Sequence, residues 1–305
     1  FKQKTAYEIM PSLVGSEMCI RDSVNFGRYM PNLYYLDQKW VKEKIKSFEN
    51  IKGSEYWGAF IAGYFSIGRF YYDLYSFMKP HYEHGLEYNF KDKYSLNSLI
   101  QHVSLAYLRG KEDLERADSL FKKILDRFDY NQIDIVVRFF WVQREHKDQE
   151  DIRERIIKFW KWLYDKKYRD KEAEDLNKED KRLLSNVGNL AVFLSEINEE
   201  NFNWLRLSAK YIDEVYNSSF FIEYLDRLKD KGDKEVSANY IGQIFLEILN
   251  SGYTPDHKED NIRSIVEFLY NSNAKELADE IANIYGERGF EFLRDLYEKY
   301  NNIKE

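Results

Sequence analysis

The chain has 305 residues, of which 44% are hydrophobic and 17% aromatic; this excludes a disordered protein, while 32% charged residues predict a heavily solvated surface. Its 14 glycines and 4 prolines are few for this length, which argues against β-sandwiches and barrels, because their many turns use both residues. The net charge of −7 gives no general attraction for phosphate backbones, and no apolar run approaches the length of a membrane span. We therefore expect a globular, cytoplasmic protein.

The first 23 residues do not follow the pattern of the rest. The run SLVGSEMCIRDS (12–23) holds the only cysteine, Cys19, and resembles, residue for residue, the translation of a transposase-based sequencing-library adapter. The run KQKTAYE (2–8) resembles the translation of the primer joined to that adapter, in the same frame and order. A natural, poorly structured N-terminal arm is the alternative. We expect residues 1–23 to be an adapter-derived artefact without structure, and the natural chain to enter at Val24 as a fragment of a longer bacterial, metagenomic sequence.

Removing Cys19 has a chemical consequence. The remaining chain holds no thiol for a disulfide, a thiolate zinc site or a cysteine nucleophile. This fits a reducing compartment.

Apolar residues recur at helical spacing along most of the chain. In chain order, stripes that predict a buried helical face run through 152–163, 183–194, 221–228 and 241–248, and the clearest joins Ile262, Ile265, Val266 and Leu269. Asp256 and Glu259 have the spacing of a capping pair before that last stripe. Glycines at 110, 232, 252 and 289 each follow a stripe and predict helix ends, where a left-handed residue is needed.

One run suits a strand better than a helix. IDIVVRFFWV (133–142) is rich in β-branched residues. We favour a buried helix, because no second strand-like run exists to pair with it and a lone strand leaves its backbone polar groups unmatched.

Serial helices with short connections predict antiparallel neighbours stacked in chain order. The fold class we predict is all-α, an irregular helical-repeat, α-solenoid-like stack of antiparallel helix pairs, with hairpins of about 35 to 40 residues after Asp233. We expect an aromatic-rich block at 24–168, a charged seam at 169–182 and a C-terminal block at 183–305.

The sequence contains no motif for an enzyme or a cofactor site. GxxxxGK[ST], GxGxxG, HExxH and GxSxG are all absent, so we expect neither catalysis nor a cofactor in this chain. His81 and His84 are three residues apart and could share a metal with Glu83 or Glu87. We favour a helix end without metal, because Pro80 precedes this pair, Gly85 follows it, and a third ligand would have to come from far off.

Two segments are candidate binding surfaces. In the segment 153–171 basic residues alternate with aromatics, as in proteins that bind single-stranded nucleic acid, and the candidate cations there are Lys158, Lys161, Lys166 and Lys167. We favour a solvated helix face, because Phe159 and Trp160 lie on the apolar stripe. The aromatic segment 55–86 places Gly58, Ala59, Ala62 and Gly63 where two helices could approach closely. Its surplus tyrosines, Tyr71, Tyr72 and Tyr75, are candidates for a surface that binds a partner.

The aromatic segment, with Trp57, Phe60, Lys79 and Pro80, and the later runs FFIEYLDRL, IRSIVEFLY and IANIYGERGFEFLRDLYEKY resemble the C-terminal helical region of large bacterial antiviral defence proteins. These proteins carry a STAND-type NTPase or a Sir2-like domain ahead of a helical array. The resemblance implies that the array senses a ligand, often a phage protein, while catalysis lies upstream. We thus expect a non-catalytic recognition or scaffold module whose partner is another protein or an upstream domain of the same chain. A nucleic-acid-binding protein that uses 153–171 is the alternative.

Overall fold

The computed structural model of the chain describes residues 20–52, 54–212 and 215–301. Within these ranges the regular structure is helical, and no strand occurs in them. The predicted all-α class is therefore confirmed, and the run 133–142 lies in a helix. In the same part of the chain, none of the helices combines the length and the apolarity that crossing a membrane requires.

The chain divides into two compact units between Val136 and Val137. The helices of the first unit are α1 (Ile20–Leu36), α2 (Gln38–Glu49), α3 (Glu55–Phe65), α4 (Tyr72–Gly85), α5 (Lys93–Leu108) and α6 (Leu120–Arg127). The division falls within α7 (Tyr130–Val142). The helices of the second unit are α8 (Glu150–Lys167), α9 (Lys178–Val187), α10 (Glu199–Lys210), α11 (Val215–Leu228), α12 (Lys234–Asn250), α13 (Glu259–Asn271), α14 (Lys275–Glu287) and α15 (Arg294–Tyr300). Short 3₁₀ helices lie at Gln143–His146, Ala173–Asp175 and Gly188–Phe193.

Each unit is built from two rows of helices. In the first unit one row is formed by α1, α3 and α5, which lie side by side. In the other row α2 packs on α4, and the ion pair of Glu83 with Lys123 joins α4 to α6. In the second unit one row is α8, α10, α12 and α14, and the other is the 3₁₀ helix Gly188–Phe193 with α11, α13 and α15. Because most of the helices pack on helices adjacent to them or two away in the chain, the predicted stack of helix pairs is confirmed.

Polar side chains connect equivalent positions of successive pairs. Ion pairs along one row join residues 40 apart in the first unit (Lys123 with Glu83) and 41 apart in the second (Arg206 with Glu247). In the other row of the second unit the separations are shorter, 35 residues for Lys258 with Glu223 and 32 for Arg263 with Asp295. The separation equals the number of residues in one helix pair. The predicted hairpin length of about 35 to 40 residues is therefore close to the observed length, which varies by several residues from pair to pair.

Arginines at helix ends recur in both units. Arg127, at the end of α6, donates to Leu86 O at the end of α4. Arg227 in the last turn of α11 donates to the carbonyl oxygens of residues 191, 192 and 194, at the end of a 3₁₀ helix. Arg288, just after α14, donates to Leu249 O at the end of α12. Each guanidinium thus donates to carbonyls at a helix end, where intrahelical donors are fewer, and it joins that end to the next helix of the same row.

The tightest helix contact lies between α1 and α3. A Cβ atom at Gly63 would lie 2.2 Å from Val24 O, and one at Gly27 would lie 2.0 Å from Phe60 O. The predicted close approach at Gly63 is therefore correct, whereas Gly58 faces the Tyr88 side chain instead of a helix. Phe26 stacks on Phe60 beside this contact, with ring centroids 5.6 Å apart.

The helix ends agree with the sequence pattern at the glycines but not at Asp256. Glycines 110, 232, 252 and 289 all follow helices with positive φ, as expected of helix ends. Asp256 does not cap α13: the N-cap position is held by Lys258 without a side-chain hydrogen bond, and the Asp256 carboxylate lies 3.1 Å from His257 Nε2. The seam at 169–182 lies inside the second unit, because Leu176 and Asp180 are buried and Asp180 pairs with Lys171 at 3.4 Å.

The segment expected to lack structure is described only in part. Residues 1–19 lie outside the described residues. Residues 20–23 form the first turn of α1, and Ser23 is buried, so for these four residues the structure differs from the expectation. A helix that packs against α3 from Val24 onward continues into the residues before it, since adding a turn to an existing helix is easier than starting one. The origin of the segment in an adapter stays a prediction.

Candidate functional site

The three candidate tyrosines do not share one surface. Tyr72 exposes 49% of its surface in the first turn of α4, and Tyr71, just before the helix, is half-buried. Tyr75 is fully buried, and its hydroxyl donates to Glu112 Oε1 at 2.9 Å. Burial raises the pKa of the Tyr75 phenol well above its ordinary value. The prediction of Tyr75 on a partner surface is therefore wrong, because with Met78 and Tyr82 it lies on the buried face of α4.

Glu112 fixes this face of α4 to the loop before α6. Its Oε1 also lies 3.1 Å from Lys79 Nζ, and its Oε2 accepts from the backbone N–H of Leu120 at 2.6 Å. The carboxylate is buried, so its charge is stabilised by these three donors instead of water. The outward face of α4 is therefore presented by a rigidly held helix.

On the two flanks of that outward face, about 140° apart around α4, an exposed aromatic ring lies under a lysine ammonium group. Lys111 Nζ lies 3.9 Å from the ring centroid of Tyr72, and Lys42 Nζ lies 4.4 Å from that of Phe77, which is 38% exposed. The Tyr34 ring lies 6.4 Å from Phe77 and 5.8 Å from Lys42 Nζ. We call these five residues the α4 surface. In the described part of the chain neither Lys42 nor Lys111 pairs with a carboxylate.

The basic segment 153–171 has a different electrostatic character. Lys158 lies 3.8 Å from Glu154, and Lys161 pairs with Glu200 of α10 and with Asp165. The other two candidates, residues 166 and 167, lie in the last turn of α8, where the helix terminus itself favours cations. As predicted, Phe159 and Trp160 are buried. The charge at Lys158 and Lys161 is thus balanced by carboxylates that lie within the protein.

His81 and His84 form part of an aromatic cluster. The Trp57 indole N–H donates to His81 Nδ1 at 2.9 Å, which places the proton of the neutral imidazole on Nε2. Burial lowers the pKa of His81 to about 4, and the nearby Lys52 charge adds to this effect. The Trp57 ring also meets His84 edge-on, with centroids 4.5 Å apart. The described residues hold no group of three side chains suited to a metal ion, and α4 ends at Gly85 with Pro80 inside the helix.

Sequence reasoning missed a second buried histidine site. His102 of α5 is buried, and its Nδ1 lies 2.7 Å from the Tyr82 hydroxyl. Burial lowers the pKa of His102 to about 4. The signal was present, since His102 follows Leu99 by three residues on the apolar side of α5. Both histidines are neutral at pH 7 and serve packing in the first unit.

The chemistry of the α4 surface suits binding. Aromatic rings and ammonium groups can bury apolar side chains and attract carboxylates, but they offer no nucleophile paired with a base. Comparison of the chain with protein-family models, curated proteins and solved structures finds no match.

Proposed function

We propose that the chain is a non-catalytic recognition or scaffold module that binds another protein through the α4 surface. The observation that carries this proposal is the pair of exposed rings, Tyr72 and Phe77, each held under a lysine that has no carboxylate partner in the described part of the chain. Exposed apolar side chains rimmed by charge are typical of interaction sites. The partner is either a separate protein or an upstream domain of a longer polypeptide.

The chemistry of the surface indicates which segment it would bind. Lys42 and Lys111 favour carboxylates, and Phe77 with Tyr34 favours an apolar side chain. An acidic segment with one apolar anchor meets both requirements. In the defence proteins that the sequence resembles, the helical array recognises a ligand, often a phage protein; by that resemblance we assign the chain the sensor role in a bacterial cytoplasm.

Partner capture with matched variants tests this function. The full chain on beads is incubated with lysate from infected and uninfected bacteria, beside a Tyr72→Ser/Phe77→Ser variant and a control, Tyr29→Ser/Tyr94→Ser, which removes two exposed rings elsewhere. We expect at least one protein to be retained by the chain and the control but lost from the α4-surface variant.

Two results would contradict the proposal. One is retention that does not differ between the α4-surface variant and the control. The other is retention that nuclease treatment abolishes, because this result would assign the binding to nucleic acid. It would favour the segment 153–171, and the binding should then weaken steeply as salt is added.

A further inference from the structure

Helix α2 carries a stripe of positive charge on its outward face. Its sequence holds four lysines and two glutamates. Lys39, Lys42 and Lys46 lie within about 60° of one another around the helix; Lys39 and Lys46 are exposed, and Lys42 is half-buried at the edge of the stripe beside Phe77. In the described part of the chain no carboxylate pairs with these three lysines. We call them the lysine stripe.

An apolar pair lies directly beside the lysine stripe in the chain. Tyr35 and Leu36, the last two residues of α1, expose 90% and 61% of their surface. They precede Lys39 by four and three residues. Two such residues at full exposure are a candidate for insertion into an apolar groove.

Helix α14, in the second unit, carries the opposite pattern. Glu276, Glu280 and Glu287 are exposed within about 40° of one another, opposite the buried Ile281 and Tyr285. In the described residues no cation pairs with them. We call them the glutamate stripe.

An open groove of about 480 Å³ lies beside the glutamate stripe, between α14 and α15. Its apolar lining includes Phe290, Leu293 and Tyr297, and a Cβ added at Gly286 or Gly289 would meet nothing within 4 Å. A groove of this size accepts a side chain from another molecule.

Both stripes place like charges at positions that are neighbours on the helix surface. Like charges three or four residues apart, such as Lys42 with Lys46 or Glu276 with Glu280, destabilise a helix. Opposite charges at this spacing form ion pairs in other helices, as Lys122 does with Asp126. Charge patterns that weaken a helix on its own are explained when a partner of opposite charge covers them.

We propose that the lysine stripe of one copy of the chain binds the glutamate stripe of a second copy, with Tyr35 and Leu36 entering the groove between α14 and α15. The spacing matches: seven residues separate Lys39 from Lys46 and Glu280 from Glu287, which is ~10 Å along each helix. A second copy is the fitting partner because it brings both the acidic stripe and the adjacent groove.

The contact joins different surfaces of the two copies and therefore leaves one surface of each kind free. Such a heterologous contact extends into an open-ended assembly unless its rotation closes a ring. The lysine stripe shares Lys42 with the α4 surface, but the variants below change only Lys39 and Lys46, which lie outside that surface, so failure of the association and failure of the proposed function can be told apart.

Sedimentation velocity of the full chain tests the association. At about 0.1 M salt we expect the sedimentation coefficient to rise with protein concentration, and at about 1 M salt we expect this rise to be lost, because the screening length falls from about 10 Å to about 3 Å. Lys39→Glu/Lys46→Glu and Glu280→Lys/Glu287→Lys should each weaken association at least about tenfold. An equimolar mixture of the two variants should restore it, since their charges are complementary again.

A matched control has the same change in net charge at other sites. Lys93→Glu/Lys234→Glu alters the exposed first residues of α5 and α12, and should associate like the unaltered chain. Circular dichroism checks that all variants fold. A chain that stays monomeric at about 0.1 M salt, a control that fails to associate, or a mixture that does not recover would overturn the proposal.

Discussion

Replacing Gly63 by alanine tests the packing on which the first unit depends. The added Cβ would lie 2.2 Å from Val24 O and 2.9 Å from Val24 C, whereas ordinary contact begins at 3.4 Å. Helix α1 would have to move away from α3 by about 1 Å, a gap that forfeits a quarter to a half of the dispersion energy at the contact. Phe26 and Phe60, which stack beside Gly63, would lose part of this contact.

The expected cost is about 3 kcal/mol, at the upper end of what overpacking a core requires, because the obstacle is backbone and cannot rotate away. Hydrogen exchange is the suitable measurement, since it reports the opening of α1 and α3 helix by helix. Protected amides of α1 and α3 should exchange about a hundredfold faster, because each 1.4 kcal/mol is a factor of ten.

Gly286→Ala is the matched control. This glycine lies in the last turn of α14, and its added Cβ would touch nothing. Alanine should stabilise α14 by up to about 1 kcal/mol, the difference in helix propensity. If Gly63→Ala left exchange in α1 and α3 unchanged, or slowed it as in the control, the close packing of these helices would be refuted.

Three further changes probe polar side chains that connect helices. Burial lowers the pKa of His81 and His102 from 6.5 to about 4, so between these pH values the unfolded chain binds more protons than the folded chain. The free energy of unfolding should therefore fall as the pH falls from 6.5 to 4, by up to about 3 kcal/mol for each histidine. In urea titrations at several pH values, His102→Gln should make the free energy of unfolding depend less on pH, whereas His257→Gln, at an exposed site, should not. Equal pH dependence in the two variants would contradict the assignment of the effect to buried His102. Glu112→Ala leaves three donors without their acceptor and should lower the free energy of unfolding in urea by about 3 to 5 kcal/mol. A decrease below about 1 kcal/mol would refute the anchoring role of Glu112. Arg227→Lys should cost about 1 to 2 kcal/mol, because an ammonium cannot reproduce the fork that meets three carbonyls, and faster amide exchange confined to 188–194 and α11 would confirm it.

Helices and their ends could be predicted from the sequence because both are set by nearby residues. The stripe of Ile262, Ile265, Val266 and Leu269 is buried in α13, as its spacing predicts. The glycines that end helices were found because a left-handed residue strongly favours glycine. By contrast, Asp256 had the right spacing for a cap but lies two residues before the N-cap position, so spacing alone did not locate the first turn.

The candidate surface was predicted only in part. Tyr72 was identified from the density of tyrosines, but the same argument wrongly included Tyr75, although its spacing from Met78 and Tyr82 already placed it on the buried face. Lys42 and Phe77 were missed because they are far apart in the chain, and only the packing of α2 on α4 brings the ammonium over the ring. Likewise, the basic segment 153–171 could not be evaluated before its acidic neighbours were known, since Glu200 reaches Lys161 from another helix.

The helix pairs differ in length, while within each unit they pack in the same two rows. Arg288 performs the same task as Arg127 and Arg227 without the Leu-Asp-Arg sequence that those two share, because any helix end with carbonyls near an arginine suffices. A repeat maintained by contacts in this way leaves its outward residues free to differ. The α4 surface therefore has no requirement to recur along the stack, and a partner that binds it would recognise one helix pair and not the repeat in general.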